Sequence, residues 1–391
     1  MRPLLTTDGR RLRVLHIGKF YPPYKGGMET HLQDLCRSLS SRVDVSVIVS
    51  NSDRHTVSEM DGNIFVERAG TWANIASAPI CPSMIHAIRR TAADIVHLHW
   101  PNPTAVASYL ASGHKGQVVI TYHSDIIRQR VLRFAYQPWF NRLAARAKAI
   151  VCLSPNYIES SPVLSRFREK CHVIPHGLDA RRLQQVDQKA VADIRARYGK
   201  HIVLGVGRLV YYKGFEYLVR AIASSDATLL IIGTGPLRER LLNLATECGV
   251  ADRVHLLGEV DDVIPFYHAA QVFALPSVAR SEAFGIVQVE AMACGTPVVN
   301  TLLDTGVPFV SLHRHSGLTV PPADVPALRH AIMSILDDPN LRAYFAAGAR
   351  QRVSEHFTLN GMTEKTLQLY EGILSEGTAT VSQPELASAT V

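Results

Sequence analysis

A chain of 391 residues, 47% hydrophobic and 19% charged, has a composition that supports full cores and excludes a disordered or fibrous protein, and at this length two domains are expected. Its net charge of +7 is compatible with nucleic acid, anionic lipid or a plain basic surface, and the six cysteines show no Cys-x-x-Cys or His/Cys ligand spacing, so reduced thiols are expected. The first residues lack the apolar centre of a signal peptide and no run of ~18 apolar residues occurs, which predicts a cytoplasmic chain whose membrane contacts, if any, are peripheral.

Residues 12–18 read as a first strand, and Tyr21-Pro22-Pro23-Tyr24-Lys25-Gly26-Gly27-Met28-Glu29 as a stiff loop opening a helix that runs to about 38. Two glycines at a strand-to-helix turn make either a plain turn or a place where a ligand or a facing backbone approaches closely. Strands follow over 43–49 and 64–66, a helix over 82–90, and strands over 95–99 and 117–122. This alternation predicts a parallel sheet with helices on both faces, which binds ligands at the carboxyl ends of its strands. His99 and His123 both stand at such ends, either as structural or as active-site histidines.

From 126 to 158 the chain carries Arg128, Arg130, Arg133, Arg142, Arg146 and Lys148 without an acidic residue, and Phe134, Tyr136, Trp139 and Phe140 are interleaved. The mixture suits an anionic bilayer surface and equally a solvated basic face around buried aromatics. No nucleic-acid recognition motif or continuous basic groove pattern accompanies it, so nucleic acid is not an expected partner. Strands over 149–154 and 171–174 lead to Pro175-His176-Gly177-Leu178-Asp179, whose proline and glycine suit a hinge or rigid turn.

The pattern restarts with a strand over 201–208 that ends in Gly207 and Arg208, and Lys213 follows. A guanidinium offers a planar fork for phosphate oxygens, and an ammonium nearby supplies a compact charge. At a strand's carboxyl end the two would neutralise a nucleotide diphosphate without a metal ion. After a strand over 228–232, Gly233-Thr234-Gly235-Pro236-Leu237 is not Gly-x-Gly-x-x-Gly, so no nicotinamide cofactor is expected. Asp261 and Asp262 follow a strand over 254–258; they either cap a helix or face a ligand.

Residues 272–275 read as a short buried strand, followed by a polar loop and a helix over about 284–294 that Gly295 and Pro297 stop. The free amides at its start, Ala283, Phe284, Gly285, Ile286 and Val287, suit a phosphate, helped by the helix dipole. Glu282 lies ahead of the helix, free to face a ligand's polar rim, while Glu290 lies inside it and leans back toward its start. Both carboxylates either accept from sugar hydroxyls or simply complement the dipole. Helices over 325–336, 341–356 and 362–374 close the chain, and a disordered tail is expected over 376–391.

Glu282-x7-Glu290 with Phe284-Gly285 between them, followed by Glu-Ala-Met-Ala-Cys-Gly-Thr-Pro-Val-Val, resembles the signature of the retaining glycosyltransferases of family 4. The likeness covers nearly the whole chain, from Gly26-Gly27 to the C-terminal helix. It implies an α/β chain of GT-B fold, two Rossmann-like domains facing across a donor cleft. Residues 1–176 would be the acceptor-side domain, 177–356 the nucleotide-sugar domain, and 357–375 a helix returning to the first.

The resemblance further implies that Gly26 and Gly27 lie against the donor's diphosphate and sugar, and that His123 is the active-site histidine. Gly207, Arg208 and Lys213 would hold the diphosphate, and the loop with Asp261 and Asp262 would lie over the nucleotide base. Glu282, the amides of 283–287 and Glu290 would complete the donor site. The implied reaction is metal-free transfer of a hexose, with retention, from a nucleotide diphosphate sugar to a hydroxyl, with His123, Arg208, Lys213 and Glu282 as the catalytic set. GDP-mannose is the expected donor, because a carboxylate over the base reads a guanine edge that uracil lacks; a UDP-sugar is the alternative. A polyprenyl-linked glycan at an anionic inner-membrane surface is the expected acceptor. The loop over 305–309 looks like that of bacterial mannosyl- and rhamnosyltransferases of surface-polysaccharide assembly. A nucleotide-sugar epimerase and a non-catalytic scaffold share the architecture, but a scaffold has no use for Arg208, Lys213, both glutamates and Gly26-Gly27 together.

Overall fold

The computed structural model describes residues 3–6, 8–24, 26–75, 78–125 and 130–376, with the backbone alone over 130–135 and at 376. The expected tail, Arg128, and the side chains of Arg130 and Arg133 therefore lie outside the described residues. Apolar, β-branched runs such as Val-Leu-His-Ile and Gln-Val-Val-Ile-Thr-Tyr are buried along nearly their whole length, the sequence form of central parallel strands. They build an eight-stranded sheet in the order Cys171–Val173, Ala147–Cys152, Gln117–Tyr122, Ile95–Trp100, Arg13–Ile17, Asp44–Ser50, Ile64–Ala69, Val57–Asp61. All neighbours are parallel except the last pair, an antiparallel edge that sequence reading passed over.

Successive side chains of each strand point to opposite faces. Val14, Ile95 and Val119 pack under the helices Gly27–Leu39 and Leu359–Glu376, while Leu15, Val96 and Leu98 pack under Ser83–Arg90, Pro103–Ser112 and Arg130–Arg146. The last helix thus returns to the first sheet, as expected. Thr363 donates to the Ser38 hydroxyl at 2.7 Å, Arg42 meets Glu364 at 3.2 Å, and the Tyr370 hydroxyl lies 2.6 Å from His97 Nδ1.

A second sheet of six parallel strands runs Val254–Gly258, Thr228–Ile232, Ile202–Val206, Val272–Leu275, Val298–Thr301, Gly317–Val320. Both sheets reverse strand order beside their first strand, between Arg13–Ile17 and Ile95–Trp100 and between Ile202–Val206 and Val272–Leu275. In such sheets ligands bind at that switch point, beyond the carboxyl ends. Two segments join the halves side by side: Leu178 donates to the Phe357 carbonyl at 2.9 Å, and Leu359 donates to the Leu178 carbonyl at 3.0 Å. Gly177 permits this, since a Cβ there would overlap the Thr358 carbonyl.

Candidate active site

The strand Ile202–Val206 ends in Gly207, at φ 147°, and a Cβ on it would come within 2.9 Å of Lys213 Cε. Only glycine lets the lysine stem fold back across the strand end. Gly214, at φ 67°, ends the turn, and its bare Cα presses against the Pro276 carbonyl, where any side chain would overlap. Val278 donates to the Tyr212 carbonyl at 2.8 Å, which locks this turn to the loop ahead of the helix Ile286–Ala293. Lys213 Nζ consequently meets Glu282 at 2.7 Å, and the Ser277 hydroxyl donates to the same carboxylate at 3.0 Å.

One expectation changes here. Glu282 is 7% exposed and committed to Lys213, so it is not a free carboxylate at a polar rim, and Lys213 is itself buried at 8%. Arg208 is exposed. Its charge reaches Lys19, whose ammonium also senses Glu29 and whose pKa is lowered by burial. Lys19 and Glu29 extend the charged rim onto the first sheet and were not singled out from sequence.

Gly285, at φ 71°, delays the helix expected from 284 until Ile286. Among the described residues no partner is found for the amides of Ala283, Phe284, Gly285, Ile286 and Val287. The start of the helix is therefore an open anion site, with Phe284 turned inward against Phe357. Across the cleft stand Gly26 and Gly27; a Cβ on Gly27 would lie 3.7 Å from the Ile286 methyl. Glycines and helix start are thus brought face to face. Glu290 is tied by the Tyr267 hydroxyl at 2.7 Å, and burial raises its carboxyl pKa. Asp262 accepts from the Ile264 amide at 2.9 Å, which realises the capping alternative, while Asp261 is exposed.

His123 follows the strand Gln117–Tyr122, its amide held by the Trp100 carbonyl at 2.9 Å, and it is 7% exposed. Linear spacing gave no ligand cluster, but neighbouring strand ends bring distant histidines together. Nitrogens of His16, His97 and His99, and of His31, His99 and His123, lie within 4.8 Å of one another. Burial drives the pKa of His16 and His123 down to about 3 and those of His31, His97 and His99 well below the usual imidazole range. His99, the second strand-end candidate, sits inside this stack at 4% exposure.

An ion pair missed from sequence spans the two halves. Arg280, in the loop before Glu282, meets Asp125 at 3.2 Å and donates to the Asp304 carbonyl at 2.6 Å. Asp125 also accepts from Tyr122 at 2.7 Å and Ser161 at 2.9 Å, two residues beyond His123. The basic, aromatic helix Arg130–Arg146 divides: Trp139 is 48% exposed beside exposed Arg142, but Phe140 is buried 4.6 Å from Trp100 and cannot meet a bilayer. Among the described residues no helix is long and apolar enough to cross a membrane.

Residues 25–182 match the family described as Glycosyltransferase Family 4, and residues 187–352 match Glycosyl transferases group 1. D-rhamnosyltransferase WbpZ of Pseudomonas aeruginosa is 35% identical over 89% of this chain and 92% of its own. O-antigen chain mannosyltransferase C of Escherichia coli is 31% identical over 93% of this chain and 99% of its own. Among solved structures, the Anabaena protein HepE in complex with UDP-glucose superposes with a TM-score of 0.76 at 20% identity, over 93% of this chain and all of that one.

Proposed function

The chain belongs to the family 4 glycosyltransferases and has the GT-B fold of two Rossmann-like domains, and on that premise we propose that it moves a hexose from a nucleotide diphosphate sugar to a hydroxyl of a lipid-linked glycan, retaining configuration. The observation that carries this reading is one constellation. The start of the helix Ile286–Ala293 faces Gly27, the Lys213–Glu282 pair is tied to the loop just ahead of that helix, and exposed Arg208 follows the strand that ends in Gly207. A diphosphate there would receive a guanidinium fork, a buried ammonium and helix amides, all aimed where charge develops on the departing β-phosphate. Those groups supply the positive charge that a divalent ion would otherwise bring, so the proposed reaction needs no metal. His123 would contact the donor sugar from the first domain.

Mannose from GDP-mannose is the proposed donor. A relative named as a mannosyltransferase and another named as a rhamnosyltransferase support a sugar of this kind and a role in surface-glycan assembly. With Asp262 engaged as a cap, exposed Asp261 is the carboxylate left to meet a guanine edge. Titration calorimetry with GDP and UDP tests the choice: tighter GDP binding, weakened by Asp261→Ala, is expected. Preference for UDP would move the reading to the UDP-sugar alternative.

A further inference from the structure

Three imidazoles run in series from the interior to the cleft. His16 Nδ1 lies 3.2 Å from His99 Nε2, and His99 Nδ1 lies 3.1 Å from His123 Nε2. The ring centroids are 5.5 and 5.4 Å apart, with interplanar angles of 34° and 24°. Each centroid separation exceeds its N···N distance only by the two ring radii, so the rings lie end to end and each nitrogen aims at the next. A metal centre would need lone pairs from separate rings converging on one point. These two contacts are hydrogen bonds.

Sheet geometry produces the series. His16 is in register with His97 on adjacent parallel strands, and His97 and His99, two residues apart, share that face. His97 is held aside by Tyr370 and Thr121, one on each ring nitrogen. His31, from the helix Gly27–Leu39, closes over the series edge-on, 4.9 Å from His123.

Each neutral imidazole carries one ring proton, so the direction of one bond in such a series sets the direction of all. The buried end decides it. His16 Nε2 is buried and has no partner among the described residues. At the buried end an unpartnered N–H is the rarer defect, whereas at the cleft end an N–H has substrate or solvent to meet, so His16 Nε2 carries the lone pair. His16 then donates from Nδ1 to His99, His99 donates from Nδ1 to His123 Nε2, and His123 keeps its own proton on Nδ1. That Nδ1 is not among the buried unpartnered atoms, so the cleft end of the series is open to a ligand while the His16 end is closed.

We propose that His99 and His16 are positioning residues that lock His123 in its Nδ1–H tautomer, so that it meets the donor substrate as a hydrogen-bond donor to oxygen and not as a base. This rests on the reading of His123 as a residue of the donor cleft. To act as a base, His123 would need the whole series reversed, leaving a proton on the unpartnered His16 Nε2. The pKa depression of all three rings keeps them neutral near neutral pH, so one proton order persists across the working range.

Two-bond 1H–15N correlation spectra of protein labelled in its histidines report the tautomer of each ring, with assignments from single substitutions. Nδ1–H is expected at His16, His99 and His123, the form that free neutral histidine disfavours. Nε2–H at His99 and His123 would overturn the proposal. His99→Leu should release His123 from the Nδ1–H form and lower kcat/KM by about tenfold or more, the loss of one oriented hydrogen bond. His99→Asn, whose amide N–H replaces Nδ1–H, should restore both; a tautomer at His123 that ignores residue 99 counts against the wire. If His99→Leu fails to fold, the wild-type spectrum decides alone. A chain that is inactive on every nucleotide sugar yet keeps the Nδ1–H series would refute the proposed function and uphold the wire.

Discussion

Lys213 and Glu282 form the pair on which the phosphate site is built, and cutting it has a calculable consequence. Their side chains are 10% and 9% exposed and their charged atoms lie 2.7 Å apart. Lys213→Met would leave the carboxylate with the Ser277 hydroxyl as its remaining donor among the described residues. Removing one member of a buried pair costs about 3–5 kcal/mol, whereas replacing both by neutral groups of similar volume is close to neutral. Residual exposure places this site at the lower end, about 3 kcal/mol. For a domain of about 180 residues each kcal/mol moves the melting midpoint by about 2–4 °C, so a fall of about 6–12 °C is expected. Lys213→Met/Glu282→Gln should recover most of it. Both variants should lose transfer, because the ammonium is missing from each. Calorimetric melts of wild type and the two variants settle the matter: a single variant as stable as wild type, or a double no better than the single, would refute the pairing.

Three further outcomes follow from the site. Five buried histidines with depressed pKa bind protons in the unfolded chain below about 6.5 but not in the native one, so stability should be lost as pH falls from about 6.5 toward 3, by up to about 1.4 kcal/mol per histidine per pH unit; urea midpoints that stay flat between pH 7 and 5 would contradict this. Arg280→Ala removes the link from the donor loop to Asp125, while Asp125 keeps Tyr122 and Ser161. It should raise the donor KM several-fold with little change in melting, and an unchanged KM would remove Arg280 from the closed site. Exposed Trp139, Arg142, Arg146 and Lys148 should bring the chain down with anionic vesicles, at about 1 kcal/mol per basic residue, and salt should release it. Equal sedimentation with neutral vesicles would leave this helix as an ordinary solvated face.

What the sequence discloses divides along physical lines. Strands such as Val272–Leu275 and the glycine-bounded turns around Lys213 and Glu282 are local, and local pattern places them. The freedom ascribed to Glu282 was wrong because it depends on Lys213 folding back across Gly207, a contact made in three dimensions. The histidine stack draws on the segments around 16, 31, 97 and 123; only His97 and His99, two apart in a strand, hint at a shared face. Arg280 and Asp125 are 155 positions apart and carry no spacing signal. Phe140 was legible: with Leu143 and Ala144 it makes a buried helical stripe that leaves Trp139 and Arg142 outside.

The central claim is metal-free, retaining transfer from a nucleotide diphosphate sugar. Time-resolved 1H NMR of the purified chain with GDP-mannose in excess EDTA reports the nucleotide released and the anomer of the newly freed or transferred sugar together. GDP release is expected, with the first-formed sugar in the donor's own configuration, and Arg208→Ala should slow it by ~10²-fold, the loss of one preorganised charge on the leaving group. An inverted product, release only after Mg²⁺ is restored, or no release from GDP-mannose or any UDP-sugar would contradict the account.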